Sequence, residues 1–200
     1  MDSGMQWGRR HYLIISHTVP ANGDFSLNDL PGSGGRVDVI ARCISSALLT
    51  SNGIRRDASI TVYLCSGDRN VSVSVFGSSV RYLNPDERST AALLKNALLK
   101  GARLEEGFSS PGIFFDHRSL QEFLELICDG RECYYLSESG APADALKTPS
   151  VALLGDHKGI TDEEDRLLER FASRKVSLSR LSLQSDQCVT ISNWMMDRAE

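Results

Sequence analysis

Short apolar runs alternate with amphipathic stretches over almost the whole of the 200-residue chain. The run HYLIIS (11–16) is nearly continuous, which is typical of strands buried on both faces. The stretch 36–53 instead places its apolar residues at helical spacing, and Asn52-Gly53 suits a helix end. Alternation of this kind predicts an α/β fold, with a mostly parallel sheet flanked by helices and one domain spanning 1–200.

The same patterns assign the other elements. Strands are expected at 11–16, 59–66, 111–115, 132–140, the first part of 149–159, and 175–179. The stretch 71–83 alternates apolar with small polar residues, as a half-exposed strand or hairpin does. Helices are expected at 36–53, 84–104, 119–130, 161–174 and 186–199.

Several helices carry start signals. Ser119 with Glu122 and Thr161 with Glu164 have the spacing of capping boxes. Asn84 is expected to cap the helix that follows it, because its side chain can accept a hydrogen bond from a free backbone N–H. The final helix is expected to place its apolar residues on one face, namely Cys188, Ile191, Trp194 and Met195.

The overall charge limits the partners. A net charge of −4 excludes a uniformly basic coat for nucleic acid, although a local basic patch remains possible. A candidate stripe consists of Arg36, Arg42, Arg55, Arg56 and Arg88, and an exposed turn explains the pair at 55–56 equally well. No apolar run approaches the roughly 20 residues that span a bilayer, and the first apolar run is short for a secretory signal, so we expect a cytoplasmic protein that binds no membrane.

The five cysteines indicate neither disulfides nor a metal site. They are odd in number and widely spaced, and no CxxC motif occurs. Cys128 and Cys133 lack a matching pair of histidines, which zinc sites of this type use. We therefore expect reduced thiols, mostly in the core, and no metal.

Three strand ends are candidate ligand sites, because α/β sheets bind ligands at the carboxyl ends of strands. They are Leu136-Ser137, 154–156 and the stretch 178–188. The segment LLGDHKGIT carries two glycines four apart, but it matches no phosphate loop and could be an ordinary β–α turn. The stretch VSLSRLSLQSDQC (176–188) is too rich in serine for a clean helix or strand, and long loops of this kind are functional or disordered.

Five stretches together resemble one known family: DFSLNDLPGSGGRVDVIAR, LNPDERSTAALL, YYLSESG, VALLGDHKGIT and KVSLSRLSLQSDQC. They occur in this order over most of the chain, and NPDERST and GRVD are the most specific. The chain resembles the archaeal tRNA pseudouridine-54 N1-methyltransferases and their bacterial relatives, a family of SPOUT methyltransferases. The resemblance implies a homodimer and a C-terminal trefoil knot that holds S-adenosylmethionine (SAM). It implies RNA-facing loops in 1–110 and a knotted SAM-binding half in 111–200.

The resemblance also implies a SAM site. The loop 176–188 would fold over the methyl donor, and the residues lining the donor would be Leu136, Gly155, Leu178, Leu181, Leu183 and Cys188. Gly155 would let the backbone approach the ligand. The family pattern here is close to Leu-Leu-Thr-Ser-His-Cys, whereas this chain has Gln184 to Gln187 before the cysteine. The departure falls where the acceptor would be oriented.

The acceptor would be N1 of pseudouridine in tRNA, a nitrogen that must lose a proton. We hypothesise that Asp38 is the base or orients it, while Arg36 and Arg88 hold phosphate or uracil oxygens. Arg42 and Asn84 are further candidates for binding the substrate. Cys188 as a covalent nucleophile is a weaker alternative, since N-methylation needs no carbon adduct.

Two other functions stay open at this stage. The chain could methylate a different RNA or a small molecule, and the altered segment 184–187 fits a changed substrate. It could also bind SAM or RNA without turnover, which the acidic net charge mildly favours. Affinity for RNA should fall steeply with salt, whereas affinity for a small molecule should not.

Overall fold

The computed structural model describes residues 5–65 and 69–199. The helices are α1 (Val37–Leu48), α2 (Glu87–Gly101), α3 (Leu120–Cys128), α4 (Asp162–Phe171) and α5 (Ser185–Ala199). The strands are β1 (Arg10–Ser16), β2 (Leu49–Thr50), β3 (Gly53–Ile54), β4 (Ala58–Leu64), β5 (Val71–Phe76), β6 (Gly107–Ser110), β7 (Ile113–Asp116), β8 (Glu132–Pro142), β9 (Ser150–Gly155) and β10 (Arg174–Ser177).

Eight strands form one sheet in the order β10-β8-β9-β1-β4-β5-β7-β6. The strands from β10 to β4 pair in parallel, whereas β5, β7 and β6 pair antiparallel with their neighbours. The prediction of an α/β fold with a mostly parallel sheet is confirmed. The antiparallel part was not predicted, and β6 was missed altogether.

Helices cover both faces of the sheet. Side chains alternate along β1, so Tyr12 and Ile14 face α1, α2 and α5, while Leu13 and Ile15 face α3 and α4. All four side chains are fully buried, which confirms that HYLIIS is a strand covered on both faces. Within the described ranges, no helix is both long and apolar enough to cross a membrane.

Two of the three predicted helix N-caps are confirmed, and one is wrong. Both capping boxes are present, at Ser119 for α3 and at Thr161 for α4. The prediction for Asn84 was wrong, because α2 begins later and its N-cap is Asp86, whose carboxylate accepts a hydrogen bond of 2.8 Å from the Ser89 backbone N–H. A carboxylate at this position also complements the positive end of the helix dipole.

Two strand predictions need correction. The stretch 71–83 is a fully buried strand, β5, followed by a turn, rather than a half-exposed strand or hairpin. Its serines are tolerated inside because each has a partner: Ser72 Oγ donates to Asp116 at 2.6 Å, and Ser74 Oγ lies 2.7 Å from Thr61 Oγ1. The predicted strand 59–66 corresponds to β4, and its last residue lies outside the described residues.

Two helix predictions also need correction. The helix expected over 36–53 ends at Leu48, and the short hairpin of β2 and β3 follows it. In α5, the expected apolar face is not the buried one, since Trp194 is 55% exposed while Asn193 is buried. Two hydrogen bonds hold Asn193 inside: its Nδ2 donates to Ser46 O at 2.9 Å, and its Oδ1 accepts from Tyr12 Oη at 2.8 Å.

Candidate active site

A cavity of about 390 Å³ lies where β8 and β9 meet the segment that follows β10. It is lined by residues from three stretches of the chain, 135–139, 154–160 and 177–188. All six residues predicted to contact the methyl donor line this cavity: Leu136, Gly155, Leu178, Leu181, Leu183 and Cys188. A cavity of this size falls in the range of small-molecule sites.

The apolar walls differ in their exposure. Leu136 is buried, and Leu178 and Cys188 pack against the large core between the sheet and α1, α2 and α5. Leu181 is 74% exposed at the mouth of the cavity. Leu136 and Leu178 therefore form a packed wall of the cavity, and Leu181 is exposed at its opening. This arrangement suits a flat apolar ring that enters from solvent.

The loop 178–184 is irregular but internally bonded. Ser177 Oγ donates to the Ser179 carbonyl at 2.8 Å, and Ser179 Oγ accepts from the Leu181 N–H at 3.0 Å. Ser185 Oγ donates to the Gly155 carbonyl at 2.9 Å, which ties the start of α5 to the end of β9. The serines that break the strand and helix patterns thus hold the loop in place around the cavity.

The turn that follows Gly155 requires a glycine at this position, independently of any ligand. A Cβ at this position would lie 2.9 Å from Ile160 Cγ2 and 3.0 Å from the Gly159 carbonyl carbon. The turn is further fixed by Asp156, whose carboxylate accepts from the Lys158 N–H at 2.8 Å and from Thr18 Oγ1 at 3.2 Å. A side chain at 155 would therefore push the turn 156–160, which forms one wall of the cavity.

A cluster of charged groups, named here the arginine cluster, lies at the start of α1 and comprises Arg36, Asp38, Arg42, Glu87 and Asp186. Arg36 Nε donates to Asp38 at 3.0 Å, and Arg42 Nη1 donates to the same carboxylate at 3.1 Å. Arg42 also contacts Glu87 at 2.9 Å and Asp186 at 3.4 Å. Because Asp186 lies between the cavity-lining residues Ser185 and Cys188, the cluster borders the cavity.

Asp38 is held as a carboxylate. Its side chain is 8% exposed, and this burial alone would raise its pKa, but hydrogen bonds and charge from Arg36 and Arg42 outweigh it and lower the pKa below its ordinary value. Arg36 keeps 40% of its side chain exposed and sits at the N-cap of α1 with φ of 68°. A non-glycine residue in this left-handed conformation is held there by its surroundings, a feature common at functional sites.

The other predicted substrate residues lie near this cluster rather than in it. Asn84 and Arg88 are exposed, and they flank Glu87, which contacts Arg42. Arg88 has no carboxylate partner among the described residues. Glu87 and Asp186 were not predicted to contact Arg42, because they lie 45 and 144 residues away from it along the chain.

A second group of polar side chains was not predicted. His17 Nε2 lies 2.9 Å from Glu164, and Cys65 Sγ lies 3.5 Å from the other oxygen of the same carboxylate. The three ligand-type atoms lie within 4.8 Å of one another, although the sequence spacing indicated no metal site. All five cysteines are free thiols, as predicted.

Comparisons with known proteins agree on one family. Residues 9–200 match the family described as "Putative SAM-dependent RNA methyltransferase". The tRNA (pseudouridine(54)-N(1))-methyltransferase of Methanococcoides burtonii is 41% identical over 94% of this chain and 96% of its own length. That of Haloarcula marismortui is 38% identical over 95% of this chain and 97% of its own length.

The fold also matches a solved structure. Archaeoglobus fulgidus Nep1, determined bound to S-adenosylhomocysteine, aligns with a TM-score of 0.62 over 97% of this chain and 98% of its own, at 16% identity. At this identity the match shows only that the two proteins share a fold. The extent of the sequence matches decides the family: the chain belongs to the SAM-dependent RNA methyltransferases that include the tRNA pseudouridine-54 N1-methyltransferases.

Proposed function

We propose that this protein transfers the methyl group of SAM to N1 of a pseudouridine in tRNA, at the position-54 type of site that its relatives' names specify. One observation carries the proposal: a cavity of about 390 Å³ borders the arginine cluster through Asp186. A small-molecule cavity therefore lies beside a cluster in which Arg36 offers a partly exposed guanidinium, as transfer from a bound donor to RNA requires.

The cavity fits SAM by chemistry. SAM carries a flat adenine, a ribose with two hydroxyls, a sulfonium cation and an amino-acid end. The leucines supply apolar walls for the ring, and Ser137, Ser139 and Ser179 supply hydroxyls. Glu138 and Asp156 add carboxylates that favour the ribose hydroxyls or the positive charge.

The donor supplies an already activated methyl group, so the protein mainly has to align the acceptor nitrogen with it. Arg36 is the cluster member with the most exposed guanidinium, and it is the group we assign to the uracil oxygens or a neighbouring phosphate. Arg42 is tied to three carboxylates and to Gln184 at 3.4 Å, so it organises the cluster and the loop beside the cavity.

Asp38 fits the role of orienting residue better than that of base. Both of its oxygens accept hydrogen bonds from arginines, and its lowered pKa makes it a weak proton acceptor at neutral pH. Cys188 does not fit the nucleophile alternative. Burial, and to a smaller extent the charge of Asp186, raises the pKa of its thiol to about 11. The thiol therefore stays protonated and serves as a wall of the cavity.

The organisation of the chain is proposed on the family resemblance. We infer a single domain over 1–200, with RNA-facing loops in 1–110 and a knotted SAM-binding half in 111–200. We also infer a cytoplasmic homodimer, with Ile191 and the half-exposed Trp194 of α5 in the interface, because these apolar side chains lie outside the two core clusters. Light scattering after size exclusion should show a dimer that Trp194→Glu converts to a monomer.

A different acceptor is the second candidate. The segment 184–187 departs from the family pattern, and two of its residues, Gln184 and Asp186, contact Arg42 at 3.4 Å. The departure thus reaches the arginine cluster, where the acceptor would be oriented. A non-catalytic binding module is the third candidate, and it differs from both enzymes by the absence of turnover.

The deciding experiment measures methyl transfer from labelled SAM to two matched T-arm stem-loops, with pseudouridine or uridine at the target position. Label in the pseudouridine RNA alone is the expected result. Label in neither RNA, with SAM binding intact by calorimetry, would refute pseudouridine as the acceptor and direct the search to other acceptors or to a binding role. Label in both would refute recognition of the N1–H group.

The proposed reaction requires no metal, because the sulfonium already activates the methyl group. Dialysis against EDTA should therefore leave the transfer rate within about twofold. A large loss restored by Zn²⁺ would overturn this expectation and would direct attention to His17, Cys65 and Glu164, whose nitrogen, sulfur and oxygen atoms suit that ion.

A further inference from the structure

Tyr82 stands out from the other aromatic residues. It is 75% exposed, and its φ of 63° places it in the left-handed region. Among the described residues, only Arg36 of the arginine cluster is another non-glycine residue with positive φ. An exposed aromatic ring on a backbone that glycine would adopt more easily points to a function for the side chain.

Neighbouring residues impose this conformation. Val80 is buried, and its backbone N–H donates to the Phe76 carbonyl at 2.8 Å. Leu83 is 8% exposed and packs into the large core. With both sides anchored, the chain has to turn outward between them, and Arg81 and Tyr82 form the tip of that turn.

Beside this tip lies an open groove of about 710 Å³, lined among others by Arg56, Arg81 and Phe108. Phe108 is 45% exposed, and its ring meets the ring of Phe114 edge-on at 5.1 Å, which fixes its orientation. Arg56 Nη1 donates to the Gly77 carbonyl at 2.8 Å, so its guanidinium is held at the groove.

The charges in the groove are not neutralised. Arg56 and Arg81 have no carboxylate partner in the part of the chain that the structure describes. By contrast, Arg55 pairs with Asp197 at 2.8 Å, and Arg42 pairs with three carboxylates. A chain with a net charge of −4 thus leaves two guanidinium groups without a carboxylate partner in the region that also carries the exposed rings of Tyr82 and Phe108.

We propose that the groove lined by Arg56, Arg81 and Phe108, together with Tyr82 next to Arg81, docks unpaired RNA nucleotides next to the target nucleotide. Exposed rings stack on bases that have left the helix, and arginines bind phosphates or stack on bases. The inference rests on the proposed RNA substrate and assigns it four residues, of which only Arg56 belonged to the candidate basic stripe.

The groove and the arginine cluster lie within reach of one RNA loop. Tyr82 precedes Glu87 by five residues, and Glu87 contacts Arg42 at 2.9 Å. Five residues span at most roughly 18 Å even when fully extended. A nucleotide stacked on Tyr82 would therefore hold the RNA while the target base enters the cavity side of the cluster.

The test uses Tyr82→Gly, which suits the backbone and removes the ring, and Tyr82→Phe, which keeps it. Binding of the pseudouridine stem-loop is measured by fluorescence anisotropy at fixed salt, and melting temperature is measured in parallel. Tyr82→Gly should raise the Kd for RNA by roughly 5- to 100-fold without lowering the melting temperature, because one stacked base contributes that much. Tyr82→Phe should bind within about twofold of the original protein.

Charge is tested separately. Arg81→Ala should weaken RNA binding and reduce its salt dependence, whereas Arg170→Ala, an exposed arginine of α4 on the opposite face of the sheet, should leave both unchanged. Equal loss in both variants would overturn the groove, because it would indicate general electrostatics. RNA binding by Tyr82→Gly that equals that of the original protein would also overturn it.

The outcome stays separable from the proposed function. Normal RNA binding that requires Tyr82, with no methyl transfer, would refute the reaction and support the groove. Methyl transfer with an unchanged KM in Tyr82→Gly would support the reaction and refute the groove. If both hold, Tyr82→Gly should raise KM for RNA and leave kcat within about threefold, as expected for a residue that binds but does not react.

Discussion

The cavity and the arginine cluster lie next to each other but are built in different ways. The cavity consists of loop backbone, leucines and serines from three short stretches of the C-terminal half. The cluster consists of charged side chains from α1, α2 and the start of α5. A cavity built from short stretches of loop should therefore tolerate single substitutions at its surface, whereas a network of shared charges should fail when one member is lost.

The largest expected effect tests the cluster. Asp38→Asn keeps the shape of the side chain but removes the charge that Arg36 and Arg42 share. We expect kcat/KM for the stem-loop to fall by about 100-fold, because loss of alignment at a reacting centre has effects of this size. Calorimetry should show SAM affinity within about twofold, and an unchanged transfer rate would contradict the role of Asp38.

Lowering the pH from 7 to 5 should reduce the stability of the fold without changing the charge of Asp38 in the arginine cluster. His11 in β1 is fully buried, and this burial, with a smaller contribution from Arg131, lowers its pKa to about 3. A histidine with a depressed pKa stabilises the fold fully above its ordinary value of about 6.5, and the contribution is lost as pH falls toward 3. Asp38, whose pKa is also lowered, keeps its charge throughout the range from pH 7 to 5.

Between pH 7 and pH 5 the free energy of unfolding should therefore drop by about 2 kcal/mol, from His11 alone. Urea unfolding at the two pH values measures this difference. His11→Leu, which cannot titrate, serves as the control and should show a much smaller difference. The same large drop in that variant would assign the acid sensitivity to other groups.

Salt should act on the two ligands differently. If about three phosphates are contacted, raising salt from 50 to 200 mM should weaken RNA binding by about 20-fold. SAM binding, which depends on a partly enclosed cavity, should change by less than about twofold. Anisotropy for RNA and calorimetry for SAM give the two slopes, and equal slopes would mean that the two sites are not distinct.

The smallest effect tests the cavity wall. In Gly155→Ala the added methyl group would lie 2.9 Å from Ile160 Cγ2, so the turn 156–160 has to move. We expect the Kd for SAM to rise by about tenfold while the Kd for RNA stays unchanged. A matching rise for RNA would show that the variant disturbs the fold instead of the cavity.

The cavity was predictable from the sequence because its residues occur in short, recognisable stretches. The six residues expected from YYLSESG, VALLGDHKGIT and KVSLSRLSLQSDQC all line it. The capping boxes at Ser119 and Thr161 were predictable for the same reason, since each depends on residues only three positions apart.

Features that join distant residues could not be predicted. Arg42 meets Glu87 and Asp186 only because α1 packs against α2 and α5. Asn193 faces inward because its amide contacts the end of α1, and a hydrophobic pattern assigns that position to solvent. Tyr82 gave no signal either, since its unusual backbone results from burial of the residues on either side.

The position of the cavity within the sheet has a consequence for motion. β1 is paired along its whole length with β4 and over six residues with β9, whereas β10 is a four-residue edge strand with an irregular register. Local opening starts where few hydrogen bonds have to break. Amide hydrogens should therefore exchange more slowly in β1 than around β10 and the loop after it. Local opening at this edge of the sheet would thus admit and release the small ligand while the hydrogen bonds of β1 stay intact.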